Sequence, residues 1–191
     1  MSGVSELEKI FSFLELELSS DGLRFFFNIK KCYERDLTLF RDFIIDYLNL
    51  QTDNVISTND DLYKCFVKYY SQISLFQDED EFLEQFARYA KYYIMLSYEY
   101  IKNDDFKHWI SIINAYRGKV AYPFLMELLD NFENGRITKE DLNQMALMVV
   151  NLLRNSKLEE SELRKEFAHL GLRVNKMLSS KDREGQIEKV S

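Results

Sequence analysis

Punctuation is scarce in this chain: 191 residues hold six glycines and one proline, far below ordinary usage. Sandwiches and barrels of β-strands need a turn roughly every 8–12 residues, which so little glycine and proline cannot supply. The same shortage removes glycine-rich phosphate loops, and neither GxGxxG nor GxxxxGK[ST] occurs. Two cysteines, Cys32 and Cys65, sit in apolar or aromatic stretches without forming a CxxC pair; they read as reduced, buried thiols of a cytoplasmic protein. No apolar run approaches the length of a membrane span, and the first residues carry no secretory core, so neither membrane insertion nor export is expected. Basic charge is also short, with 25 Lys and Arg against 32 Asp and Glu and a net charge of −7. A protein that holds DNA mainly by neutralising phosphates is usually basic.

What the chain does have is apolar and aromatic. Hydrophobic residues make up 46%, with fifteen Phe and twelve Tyr, enough for a sizeable core and too much for wholesale disorder. The apolar residues recur at helical spacing, which predicts an all-α fold: a multi-helix bundle of about eight or nine helices with short connections. Residues 1–178 read as a single helical domain, and the polar stretch 179–191 as a disordered tail.

Ser5-x-x-Glu8 is a capping-box pattern ahead of Leu7, Ile10, Phe11 and Leu14. Asp21-Gly22 reads as the stop. The run Leu23 to Tyr33 is the one place where a strand competes; it reads as a helix because Phe25, Ile29 and Cys32 share one face, as do Phe26, Ile29 and Tyr33. Leu37, Phe40, Ile44, Tyr47 and Leu48 form the next stripe, followed by a polar connection over 51–60 that ends in the cap formers Ser57, Thr58 and Asn59. Leu62, Tyr63, Phe66, Tyr69 and Tyr70 then share a face. The longest segment is expected over 79–102, opened by Asp78-Glu79-Asp80-Glu81 as a complement to the helix N-terminus. Asn103-Asp104-Asp105 breaks it and caps a helix carrying Trp109, Ile112 and Ile113. Gly118 ends that helix, Pro123 suits the first turn of another, and Asn134-Gly135 ends it. Thr138 with Asp141 restarts the chain as a capping-box variant, with Leu142, Met145, Val149, Leu152 and Leu153 behind it; Leu163, Phe167, Leu170, Val174 and Met177 form the last stripe.

No residue set makes a catalytic, metal or cofactor site. Asp130 to Asp141 imitates a calcium loop at Asp130, Asn134, Gly135 and Ile137, but Phe132 replaces an oxygen ligand and the short Asp141 replaces the closing Glu. A helix–turn–helix with a left-handed Gly135 explains the same letters. His108 and His169 are 61 residues apart and belong to no metal or nuclease motif. Two contact surfaces remain. Residues 154–191 carry a net charge of +2 against −9 for the rest; Arg154, with Lys165, His169, Arg173 and Lys176 on one helical face, forms a candidate contact for nucleic acid or an acidic partner. That face equally reads as an ordinary solvated one, with pairs to Glu162 and Glu166. Tyr92, Tyr98 and Tyr100 lie off the main stripe and form a candidate aromatic groove.

The segment Phe43-Ile44-Ile45-Asp46-Tyr47-Leu48, then a polar linker and Leu62-Tyr63-x-x-Phe66-x-x-Tyr69, resembles the helical region of the GmrSD-type modification-dependent restriction endonucleases. Ile45 stands where that family often has Arg. Further matches are Ala90-x-Tyr92-Tyr93, Tyr122-Pro123-Phe124-Leu125 and Gly135-x-Ile137-Thr138-x-Glu140-Asp141-Leu142; Arg154 stands alone where the family shows adjacent arginines. The similarity covers about residues 35–178, in packing and turn signatures. The family's Asp-Gly-Gln-Gln-Arg loop is missing, Glu184-Gly185-Gln186 being only an echo, and two isolated histidines cannot build a His-Asn-His nuclease centre. The resemblance therefore implies the helical portion alone, a non-catalytic module without cofactor or metal. Such a module would join or regulate catalytic parts, as an excised portion or a split subunit, and contact DNA or a sister subunit. A stand-alone helical protein-interaction adaptor is the alternative, and a helical bundle with an internal ligand pocket a third reading.

Overall fold

A computed structural model describes residues 2–52, 56 and 61–190, with side chains from residue 6 to residue 178. Among these residues there are nine α-helices, one 3-10 turn and no strand, as the apolar spacing requires. By contacts the chain divides into two compact units, Met1–Lys91 and Tyr92–Ser191. The tail expected beyond residue 178 has its side chains outside the described residues.

The first unit holds α1 (Ser2–Glu17), α2 (Ser20–Cys32), α3 (Leu37–Gln51), α4 (Leu62–Ile73) and the part of α5 (Glu79–Ser97) up to Lys91. The start of α1 lies three residues before the expected cap, so Ser5 is inside the helix. Asp21-Gly22 is not a stop either: Ser19 is the N-cap of α2, its hydroxyl accepting from the Gly22 amide at 3.1 Å, and Asp21-Gly22 belong to the first turn. Glu79 fixes this junction by accepting from the Ser19 amide at 2.8 Å and from the Ser19 hydroxyl. A Cβ at Gly22 would collide with that carboxylate, so glycine lets α2 approach α5 here. Asp78 caps the start of α5 by accepting from the Glu81 amide at 2.8 Å, so the acidic run serves helix ends as expected.

Asp36 caps α3 by accepting from Leu39. From Phe43 to Leu50 every residue of α3 is buried. The Ile56 amide donates to Asn49 Oδ1 at 2.6 Å, tying the following connection to the helix. The caps expected at Ser57, Thr58 and Asn59 lie outside the described residues; Asp61 caps α4 by accepting from Lys64. Glu6 of α1 accepts from the Leu62 amide at 2.9 Å and pairs with Arg41 at 3.8 Å, satisfying a donor that a helix start leaves open.

Phe86 is the hub of this core. It is fully buried, with ring centroids at 5.0 Å from Phe43, 5.1 Å from Tyr47, 5.7 Å from Phe82, 6.2 Å from Phe26 and 6.5 Å from both Phe40 and Phe66. Tilted and edge-on arrangements of this kind are the favoured ones. Of the two faces of α2, the core takes Phe26, Ile29 and Tyr33, and the Tyr33 hydroxyl donates to the Ala90 carbonyl at 2.7 Å. Phe25 is exposed. Cys32 is exposed and Cys65 half-buried, and neither is in a disulfide, which corrects the expectation of buried thiols: each lies off the core-facing stripe of its helix.

In the second unit α5 ends at Ser97, five residues before the expected boundary at 102. Glu99 takes a left-handed conformation, φ +56°, and the Tyr100 amide returns to the Met95 carbonyl at 3.0 Å, closing the helix without the usual glycine. The α6 helix (Asp104–Tyr116) is capped by Asn103 and buries Phe106, Ile110 and Ile113, with Trp109 and Ile112 only half-buried. A 3-10 turn, Gly118–Ala121, leads into α7 (Tyr122–Glu133), with Pro123 in its first turn as expected. Ten consecutive residues of α7, Tyr122 to Asn131, are buried. The α8 helix (Lys139–Asn155) packs on α6 and α7, and α9 (Glu160–Val190) on α7, where Phe124 and Phe167 stack at 6.3 Å.

Phe86→Ala should cost about 3–5 kcal/mol, read as a lower urea midpoint with unchanged slope. The Tyr47 and Tyr69 hydroxyls share a hydrogen bond of 3.1 Å, yet burial pushes the Tyr69 hydroxyl up to about 12. Its neutral form is thus favoured by folding. That stability is complete below pH 10 and is lost as pH rises from about 10 to about 12, a loss of roughly 2–3 kcal/mol. Tyr69→Phe should flatten the alkaline unfolding curve, leaving the contribution of Tyr70, whose hydroxyl burial and the charges of Glu79 and Glu17 also raise.

Candidate interaction surfaces

The last turn of α7 and the start of α8 reproduce the helix–turn–helix reading. Gly135 sits at φ +69°, its amide donating to the Phe132 carbonyl and that of Arg136 to the Asn131 carbonyl, at 3.0 and 2.9 Å. Thr138 and Asp141 form a reciprocal capping box, and the Thr138 backbone and hydroxyl hold the Asp141 carboxyl below its ordinary pKa. Asp130 accepts from the Asn134 side chain at 3.2 Å. Among the described residues no cluster of three His, Cys, Asp or Glu side chains is arranged to hold a metal ion.

On α9 the helical period separates two faces. Leu163, Phe167 and Ala168 are buried, while Lys165, His169, Arg173 and Lys176 are exposed on the outside, with Glu162 and Glu166 among them. Arg154 stands on a different helix, in the last turn of α8, its guanidinium 5.6 Å from the exposed ring of Tyr116. His108 is exposed beside Trp109, on α6.

The expected three-tyrosine groove is corrected to a pair. Tyr92 is wholly buried and its hydroxyl donates to Glu133 at 2.9 Å, because it faces inward on α5 before the helix ends. Tyr98 and Tyr100 follow the end of α5 and stack at 5.8 Å with 47% and 70% of their surface exposed. A hydrogen-bonded network fixes the turn between them. Glu99 accepts from the Ser111 hydroxyl at 2.6 Å and from Asn114 Nδ2 at 3.3 Å; Asn114 also donates to the Leu96 carbonyl at 3.0 Å and accepts from the Tyr122 hydroxyl at 2.8 Å.

Sequence reasoning passed over a second face of α8. Leu142, Ala146, Val149, Val150 and Leu153 are its buried stripe. Leu152, expected inside, is 44% exposed, as are Leu147 and Met148 at 40% each. With Gln144, Asn151 and Asn155 they line a shallow groove of about 340 Å³. The signal was in the sequence: positions 143–153 contain no charged residue, although the helix has a solvent side. Leu16, Leu75 and Phe76 are further exposed apolar side chains, in the first unit.

No protein-family model, no curated protein and no solved structure matches this chain.

Gly135→Ala meets no neighbour within 4 Å, so its cost is backbone strain alone, about 1–2 kcal/mol. Denaturant unfolding should show that loss with and without calcium; a loss seen only in calcium would identify the loop as a cation site instead.

Proposed function

We propose that this chain is a non-catalytic helical module of a restriction or phage-defence protein of the GmrSD kind. It joins or regulates catalytic parts, with the outer face of α9 as its contact for nucleic acid or an acidic partner. One observation carries the reading: the segments that resemble the family are those that build the fold. Phe43 to Leu48 are buried in α3, Tyr122 to Leu125 are buried in α7, and Gly135, Thr138 and Asp141 form the turn and capping box between α7 and α8. Segments of a shared helical scaffold would be expected at such positions.

The exposed features suit contact rather than chemistry. Lys165, His169, Arg173 and Lys176 stand in solvent on one helix, where a phosphate backbone or an acidic surface can meet them. No helix among the described residues is long and apolar enough to cross a membrane. The adaptor reading, in which the partner is a protein outside any restriction system, draws on the same surfaces and on the exposed Tyr98–Tyr100 pair.

The purified chain, given modified or unmodified DNA with nucleoside triphosphate and magnesium, should neither hydrolyse the nucleotide nor cut the DNA. Robust metal-dependent cleavage would end the proposal. Any DNA binding should weaken steeply with salt, and combined Lys165→Glu, Arg173→Glu and Lys176→Glu should abolish it. Undiminished binding by that variant would remove α9 from the interface.

A further inference from the structure

We propose that Asn134 is a site of spontaneous modification. Its side-chain amide is lost as the Gly135 nitrogen closes a cyclic imide, and the turn between α7 and α8 controls when this happens.

The reactants are set by sequence. Of the six glycines only Gly135 follows an asparagine. Ring closure joins the backbone nitrogen of the following residue to Cγ of the asparagine, giving a five-membered imide. A Cβ on that following residue crowds the approach, and glycine has none. The step conserves its atoms. The bond from Gly135 N to Asn134 Cγ forms, the Cγ–Nδ2 bond breaks, and the Gly135 amide proton leaves with Nδ2 as ammonia. Water then opens the imide. Addition at Cγ leaves aspartate at position 134, whereas addition at the backbone carbonyl carbon leaves isoaspartate, with the main chain running through Cβ and Cγ. Water is the only co-reactant, and Asn134 and Gly135 are both exposed to it.

Folding holds both reactants back. Asn134 Nδ2 donates to the Asp130 carbonyl at 2.8 Å and to Asp130 Oδ2 at 3.2 Å. The Gly135 amide donates to the Phe132 carbonyl at 3.0 Å, so the attacking nitrogen is engaged elsewhere. Asn134 keeps φ −83° and ψ 3°, the backbone of a helix end, and an imide ring needs ψ rotated away from it. Closure therefore waits on a local opening of the turn. The capping box of Thr138 and Asp141 anchors the far side of that turn.

Neither product refits the closed turn. A carboxylate at position 134 loses the donor to Asp130 and confronts the Asp130 carboxyl group instead. It also places negative charge at the C-terminal end of α7, the unfavourable end of the helix dipole. Isoaspartate adds a main-chain atom inside the ring that the Arg136 amide closes on the Asn131 carbonyl at 2.9 Å. The modification is a one-way loosening of the connection between α7 and α8.

Peptide mapping by mass spectrometry, with isoaspartyl methyltransferase labelling, follows the full chain during incubation at mildly alkaline pH. In concentrated urea Asn134 should convert faster than every other asparagine. In native buffer its conversion should slow by about tenfold or more, as a reaction that passes through local opening does. Thr138→Ala removes a cap and no reactant. It should speed the native-state reaction roughly fivefold and leave the rate in urea unchanged. Should that variant not fold, Asp141→Ala carries the same expectation. Converted chain, separated by its added charge, should unfold at a lower urea concentration than the natural chain. Another asparagine outpacing Asn134 in urea, equal rates in urea and in native buffer, folded capping variants that keep the natural rate, or converted chain as stable as the natural one would each overturn the proposal.

Discussion

Each unit of this chain is organised around a helix that has almost no solvent side. In α3 the eight residues from Phe43 to Leu50 are buried, and in α7 the ten from Tyr122 to Asn131. A helix enclosed on all faces must be apolar nearly all round, and any polar group it carries must find its partner inside. Asn49 meets this demand by bonding to the backbone of Ile56 through both ends of its amide. Asn131 does so by donating to the Glu127 carbonyl at 2.8 Å. Asp46, Glu127 and Asp130 are buried along the same helices, so three carboxyl groups are tied to the packing of the interior. The other helices are more conventional. Among the described residues each of them has exposed as well as buried side chains.

Between α5 and α6 the chain does something costlier. Glu99 adopts a left-handed backbone at φ +56°, which disfavours a residue with a Cβ by about 1–2 kcal/mol. Its carboxylate bonds to Ser111 and Asn114, and Asn114 bonds on to Leu96 and Tyr122. These bonds offset the strain and lock the turn that carries Tyr98 and Tyr100. The stacked pair is thus presented on a fixed support. An aromatic contact held in this way loses little side-chain freedom when a partner arrives.

Local chemistry explains how much could be read in advance. Helix identity, the Thr138–Asp141 capping box, the left-handed Gly135 and the placement of Pro123 were legible, because each depends on residues within a turn of one another. The boundary between α1 and α2 was not: Ser19 outcompetes Asp21-Gly22 through Glu79, which is distant in sequence. The end of α5 was hidden for the same reason, since the residues that hold Glu99 lie on α6. Leu152 was placed inside because its spacing fits either face of α8, and only burial separates the two. Tyr92 looked free to form a groove because spacing says nothing of Glu133. Of the candidate contacts, the exposed face of α9 followed directly from helical period, which needs no tertiary information.

Interior packing around two enclosed helices is the central claim, and native-state hydrogen exchange tests it most directly. Backbone amides of Phe43 to Leu50 and of Leu125 to Asn131 should be the slowest in their units. They should exchange only through global unfolding, with the same denaturant dependence as the whole unit. Exchange in these segments as fast as in α1 or the outer turns of α9, or through small local openings, would contradict the claim.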